Sequence, residues 1–216
     1  MLKAVIFDLD GVICSTDEYH YQAWKAMADF MRIPFDHEIN NRLRGVSRME
    51  SLEIILEKYE GVPLTNAQKV KLTDQKNQIY VDLLKNMGRD DLSNEVKNTL
   101  DTLKNHKYKL AIGSSSKNAP LILERLGLAD YFDAVCDGNH IKKSKPDPEV
   151  FIKAARYLNE DVDGCLVVED AVAGVEAGRS GGFLVACLGD ASDAQKGNFN
   201  MNSFGELVGV CERLKA

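Results

Sequence analysis

The chain has 216 residues, 44% of them hydrophobic and 28% charged, and its 27 Lys and Arg against 33 Asp and Glu leave a formal net charge of −6. That balance argues against a protein that coats nucleic acid or an anionic membrane, since both need a clustered basic excess, while the length admits one to two domains and a core that needs no covalent staples. No apolar run approaches the roughly 18 residues of a membrane span, and the five cysteines, at 14, 136, 165, 187 and 211, are scattered without a CxxC pair, as expected of reduced, buried thiols in a cytoplasmic protein.

In chain order, residues 3–8 read as a first buried strand and not as a signal sequence, because Asp8 closes the apolar run early. Residues 15–87 carry three helical stretches and no convincing strand, with capping-box spacing at Ser15-x-x-Glu18, Ser47-x-x-Glu50 and Thr65-x-x-Gln68. From residue 94 onward helices and strands alternate. Helices are expected over 95–105 behind Ser93, 117–126 behind Ser116, 149–158 behind Asp147-Pro148, and 171–180 before Gly181-Gly182. Strands are expected at 109–113, 133–136, 165–168 and 183–187, each short and apolar. The reading is an α/β fold: a Rossmann-like parallel sheet with helices on both faces, formed by residues 1–14 and 88–216, with an inserted α-helical cap domain at 15–87. The lobe crossings near 13–16 and 86–93 are the hinge candidates.

The first strand ends in Asp8-Leu9-Asp10-Gly11-Val12, where Asp8 and Asp10 share a direction because side chains alternate along extended backbone. In open parallel sheets ligands bind beyond the carboxyl ends of strands. An Asx-turn at Asp10-Gly11 accounts for the motif equally well when it is taken alone. A second apolar strand, however, ends in Glu169-Asp170. Helix capping explains one such pair, whereas two converging acidic strand ends suit a hard cation such as Mg²⁺. The strand at 109–113 runs into Ser114-Ser115-Ser116-Lys117-Asn118, whose hydroxyls, ammonium and free N–H groups suit phosphate oxygens. Lys145 follows another strand within Ser144-Lys145-Pro146-Asp147-Pro148. Taken alone it is an ordinary surface charge, made more interesting by the rigid turn around it.

These stations, in this order on successive strand ends, resemble those of the haloacid dehalogenase-like phosphotransferases, and the resemblance spans the whole chain. It implies that Asp8 is a nucleophile forming an aspartyl-phosphate, that Asp10 is the general acid and base, and that Ser114 and Lys145 hold the phosphoryl oxygens. It further implies Mg²⁺ held by Asp8, Glu169, Asp170 and the Asp10 carbonyl.

The expected cap adds the second half of the site. His20 lies on the apolar stripe of Ala23, Trp24, Met27 and Ala28, where a satisfied core histidine is the ordinary explanation and a role at the cleft mouth the alternative. The stripe of Tyr80, Leu83 and Leu84 extends backward onto Lys76 and Asn77, a cation and an amide where apolar residues are expected. Arg44-Gly45-Val46-Ser47-Arg48 places two guanidiniums at a helix start, which favours an anion remote from Asp8. A second phosphate grip is what a mutase needs and a simple phosphatase does not. His20, Trp24, Gly45, Val46, Ser47, Arg48, Lys76, Asn77, Ser116, Lys117 and Asn118 are similar to the pattern of the β-phosphoglucomutase branch of the family. The resemblance implies an isomerase that interconverts β-glucose 1-phosphate and glucose 6-phosphate through β-glucose 1,6-bisphosphate. Its partner would be a small phosphorylated sugar, with no nucleic acid or membrane, in a monomer. A sugar-phosphate phosphatase on the same scaffold is the first alternative, and a non-catalytic sugar-phosphate-binding protein the second. The segment Asp190-Ala191-Ser192-Asp193-Ala194-Gln195 matches no pattern.

Overall fold

A computed structural model describes residues 1–215. Six parallel strands form one sheet, β1 (Ala4–Phe7), β2 (Lys109–Gly113), β3 (Ala134–Cys136), β4 (Cys165–Glu169), β5 (Leu184–Cys187) and β6 (Phe199–Asn200), in the order β3-β2-β1-β4-β5-β6. The central strands are apolar nearly throughout because the sheet is buried on both sides. In β1, Val5 and Phe7 pack with Leu100, Leu103, Leu123, Leu207 and Val210. Its alternate residues, Ala4 and Ile6, join Val150, Phe151, Ala154 and Val175 on the opposite face. The period-2 pattern of one strand thus feeds two separate layers. One layer holds α5 (Asn94–Asn105), α6 (Ala119–Arg125) and α10 (Leu207–Lys215); the other holds α7 (Glu149–Tyr157) and α8 (Val172–Ser180).

Between β1 and α5 the chain forms only helices: α1 (Asp17–Phe30), α2 (His37–Asn41), α3 (Arg48–Leu56) and α4 (Asn66–Leu83), with two 3₁₀ turns after them. Trp24, Met27, Ile33, Phe35, Leu52 and Ile55 give these helices a core of their own. Tyr80 and Leu84 of the α4 end instead join the core of the sheet, so the lobe is rooted there.

Several local expectations need correction. The capping box expected at Ser15 does not form: Thr16 is the N-cap of α1 and makes no capping bond, because its hydroxyl donates to Asp10 Oδ1 instead. The boxes at Ser47 and Thr65 both form. Helix α6 starts at Ala119 behind Asn118, later than expected, since Ser116 Oγ accepts from the Asn118 N–H in a tight turn. Helix α2, strand β6 and helices α9 (Gly189–Asp193) and α10 lay outside the sequence reading. Each is too short or too weakly patterned for its periodicity to stand out. Among the described residues, no helix is long and apolar enough to cross a membrane.

Candidate active site

The strand order reverses direction around β1, which lies between β2 and β4, and this is where an open parallel sheet leaves a crevice. Asp8 follows β1, Ser114 follows β2, and Glu169-Asp170 closes β4, so three stations far apart in sequence stand side by side. Register holds them there. Phe7 pairs with Ile112 and with Val168, and the Asp8 N–H donates to the Val168 carbonyl at 2.9 Å.

Lys145 lies beneath these groups, 1% exposed, its ammonium donating to Asp8 Oδ1 and, at 2.5 Å, to Glu169 Oε1. The Phe151 ring lies 4.6 Å from Nζ. The surface charge that a lone lysine usually represents is here a buried counter-ion. Burial would lower the Lys145 pKa, but Asp8 and Glu169 override it and hold the ammonium charged. The other Glu169 oxygen, Oε2, accepts from the N–H groups of Asp170 and Ala171, both at 2.9 Å. Gly174 makes room for this carboxylate, since a Cβ there would lie 1.8 Å from Oε1. Gly11, at φ +89°, does the same for Asp170: a Cβ would stand 2.1 Å from Asp170 Oδ2. Only glycine lets the Asp170 carboxylate close onto the loop that carries Asp10.

Burial raises the Asp8 pKa to about 7, with Lys145 opposing and Glu169 and Asp10 adding to the rise. Burial, then Glu169 and Asp8, raise Asp170 to about 8. Asp10 is likewise raised by burial, against the Thr16 hydrogen bond. Four crowded acids, Asp8, Asp10, Glu169 and Asp170, share one lysine and are short of positive charge, and a divalent cation would favour the ionised forms of Asp8, Asp10 and Asp170. Hard oxygen donors suit Mg²⁺. The arrangement differs from the sequence expectation at Glu169. Both its oxygens are engaged, by Lys145 and by backbone N–H groups, which leaves Asp8, Asp170 and the Asp10 carbonyl as the available donors.

Above β2, Ser114 Oγ accepts from the Ser116 N–H at 3.1 Å, and Ser116 Oγ from the Asn118 N–H at 3.2 Å. Each hydroxyl still has its proton to donate. Asn118 Nδ2 donates to Asn77 Oδ1 at 2.9 Å, joining the phosphate-suited loop to the helical lobe.

The lobe side is built around a second buried lysine. Lys76 is 2% exposed. Its Nζ lies 2.8 Å from His20 Nδ1, 4.8 Å from the Trp24 ring centre and 4.6 Å from that of Tyr80, and His20 stacks on Tyr80 at 4.1 Å. Burial, then Lys76 and Arg48, pushes His20 well below its usual pKa, so the neutral ring accepts from the ammonium. Burial and Arg48 also depress Lys76, with Asp10 opposing. Ser47 caps α3, aiming Arg48 into the cleft. Gly45, at φ +76°, faces Ala171 and Ala173, whose Cβ atoms would lie 3.6 Å from a Cβ at that position. Arg44 separates from Arg48: its guanidinium engages Asp17 and, at 2.7 Å, Asp190.

A cavity of about 460 Å³ runs between the two lobes. Every site residue expected from the sequence lines it except Lys145, which supports Asp8 from below. The sequence reading missed Tyr80, whose hydroxyl is buried without a partner, and the Thr16 contact to Asp10. Tyr80 had a signal, being the stripe residue one turn beyond Lys76.

The sequence matches the haloacid dehalogenase-like hydrolase family model over residues 2–182. The chain belongs to that family. Among its haloacid dehalogenase-like relatives, a β-phosphoglucomutase of Bacillus subtilis is 45% identical over 87% of this chain and 84% of that protein. A phosphorylated carbohydrates phosphatase of Thermotoga maritima is 32% identical over 84% of this chain and 82% of its own length. A crystal structure of β-phosphoglucomutase from Clostridium difficile superposes with a TM-score of 0.92 at 35% identity, covering 100% of this chain and 98% of that one.

Proposed function

We propose that the chain is a β-phosphoglucomutase, which interconverts β-glucose 1-phosphate and glucose 6-phosphate through an aspartyl-phosphate enzyme and β-glucose 1,6-bisphosphate. The observation that carries this reading is a cationic group at each side of one cavity, Arg48 with Lys76 in its lobe-side lining and Lys145 just below its floor, in contact with Asp8. A bisphosphorylated sugar needs both at once, since one phosphate reacts while the other anchors the ring.

In this mechanism Asp8 Oδ2 attacks the phosphorus of the bound sugar phosphate, and the bond to the sugar oxygen breaks. Lys145 fixes the other Asp8 oxygen, so the attacking atom is oriented before substrate arrives. Lys145 and the Ser114 hydroxyl hold the transferring oxygens. Asp10, whose pKa burial raises, protonates the departing sugar oxygen and later takes the proton from the hydroxyl that attacks the aspartyl-phosphate. Arg48 with Ser116, Lys117 and Asn118 grips the phosphate that is not transferred. His20, Trp24, Lys76 and Asn77 face the sugar, and Gly45, Val46 and Ser47 shape the turn that presents Arg48. Asp8, Asp170 and the Asp10 carbonyl would hold Mg²⁺, with Glu169 fixing Lys145 beside them; the cation would supply charge that offsets repulsion between carboxylate and phosphoryl group. Residues 15–87 act as a cap that shields the aspartyl-phosphate from water. The protein works as a monomer in the cytoplasm, where its five free thiols are at home.

The test supplies Mg²⁺, β-glucose 1-phosphate and a trace of the bisphosphate, then measures glucose 6-phosphate and free phosphate together. Isomer in large excess over phosphate is expected. Phosphate without isomer selects the phosphatase reading, for which the Thermotoga relative is the precedent. Arg48→Ala should lower isomerisation about 10- to 100-fold, the worth of one or two charge-assisted hydrogen bonds, and leave hydrolysis of acetyl phosphate nearly unchanged.

A further inference from the structure

The segment after β5 that matches no sequence pattern touches the helical lobe at one point. Asp190, in α9, accepts from Arg44 Nη1 at 2.7 Å, and Asp17, the first residue of α1, accepts from Arg44 Nη2. One guanidinium therefore ties three places together: the start of the lobe directly after the Thr16 crossing, the Arg44-Gly45 turn, and the edge of the sheet core. Two close approaches place this tie beside the cleft. A Cβ at Gly45 would lie 3.6 Å from those of Ala171 and Ala173, next to Asp170, and one at Gly189 would lie 3.8 Å from Asp170 Cβ. The Arg44 Nε is buried without a partner, while its Nη1 contact to Asp190 is exposed.

We propose that Arg44 is a positioning residue which, through Asp190 and Asp17, latches the helical lobe onto the core and sets the turn that presents Arg48 to the cavity. Arginine suits the role because its planar fork can serve two carboxylates in fixed directions, which a lysine ammonium does not do with the same geometry. The Arg44 side chain is 31% exposed and that of Asp190 67%. The latch is therefore weak and salt-sensitive, shifting the balance of closed over open lobes without locking it. Its position explains why an acid stands at 190, in a segment with no place in the catalytic chemistry.

The latch extends the mutase reading but can be tested without it, by hydrogen exchange on the full chain with no substrate. The amides to follow are those of residues 13–16, 45–48 and 87–93. Asp190→Asn should speed their exchange up to about fivefold at low salt, and Arg44→Gln should do at least as much. Asp190→Asn should add nothing in the Arg44→Gln background, while Asp190→Glu should exchange like the parent. In the isomerase assay Asp190→Asn should raise KM and spare kcat. Unchanged exchange in Asp190→Asn, full additivity of the two neutral variants, or Asp190→Glu exchanging as fast as Asp190→Asn would each overturn the latch. If the latch holds in exchange while no isomerase activity is found, the functional reading alone falls.

Discussion

Two lysines are buried at this cleft, one on each side, and they are solvated in opposite ways. Lys145, on the core side, lies between two carboxylates and is held charged by them. Lys76, on the lobe side, has a neutral imidazole and two aromatic faces for company, with Arg48 repelling it, and its pKa is depressed. In the first, the lysine's charge is answered before substrate binds, by more carboxylate than one ammonium neutralises. The second is a cation with no anion of its own in contact, which a phosphate would complete. The core side is thus built for a fixed chemical step, and the lobe side for a ligand that comes and goes.

The largest effect expected from this contrast is at the core. Asp8→Asn should reduce all turnover, mutase and acyl-phosphate hydrolysis alike, by on the order of 10⁴ or more, since nothing else supplies the nucleophile; measurable phosphoenzyme in that variant would remove Asp8 from its role. Lys145→Met should also cost stability, because Asp8 and Glu169 would be left buried without their counter-charge. The expected loss is about 3–5 kcal/mol in a denaturant melt at pH 7. A smaller loss would mean that Asp8 takes up a proton, which a melt at pH 5 would show. Asp8 stands at about 7 with Lys145 in place, and losing the lysine that lowers it moves it further up, so protonation should recover stability at pH 5.

How much of this was legible beforehand follows the same division. Asp8, Asp10, Ser114 and Glu169-Asp170 stand at the ends of apolar strands, so the sheet's own logic marks them, and the parallel α/β class followed from the alternation of elements. Lys145 was visible only as a position. Its burial depends on a contact between residues 145 and 8, which no local pattern encodes. Lys76 betrayed itself by breaking an apolar stripe. Ser15 looked like the N-cap of a capping box because Glu18 stands at the right spacing; Thr16 takes that place, and its hydroxyl bonds to Asp10 instead of capping the helix. The Arg44 link to Asp190 joins residues with no shared periodicity, and only the folded chain brings them together.

On the lobe side the contrast predicts a trade between function and stability. Lys76→Met keeps most of the side-chain volume and removes a depressed, buried charge. Isomerisation should fall about 10- to 100-fold as a charge-assisted contact to ligand is lost. Stability at pH 7 should stay level or rise by about 1 kcal/mol, as it does when buried charges give way to apolar groups of similar size. The sign follows from linkage: a folded-state lysine pKa below the unfolded one means that the unfolded chain binds more protons in the interval between them. The parent's stability should therefore rise with pH there, and that slope should vanish in the variant. A stability loss like that of Lys145→Met would show the two lysines to be equivalent and break the comparison.

The smallest effect separates scaffold from site within the lobe itself. Ser47 and Thr65 form the same capping box, each accepting from the N–H three residues on and each answered by a Glu or Gln side chain bonded to its own N–H. Replacing either by alanine should cost about 1 kcal/mol in a thermal or denaturant melt. Only Ser47 precedes a cleft residue, because the helix that it starts begins with Arg48. Ser47→Ala should therefore also raise KM for the sugar phosphate a few-fold through a looser Arg48, roughly the worth of one ordinary hydrogen bond, while Thr65→Ala should leave KM unchanged. Equal KM values in the two variants would mean that Arg48 is held by the lobe's packing and not by its helix cap, and the lobe would then be as preorganised toward its anion as the core is toward Asp8.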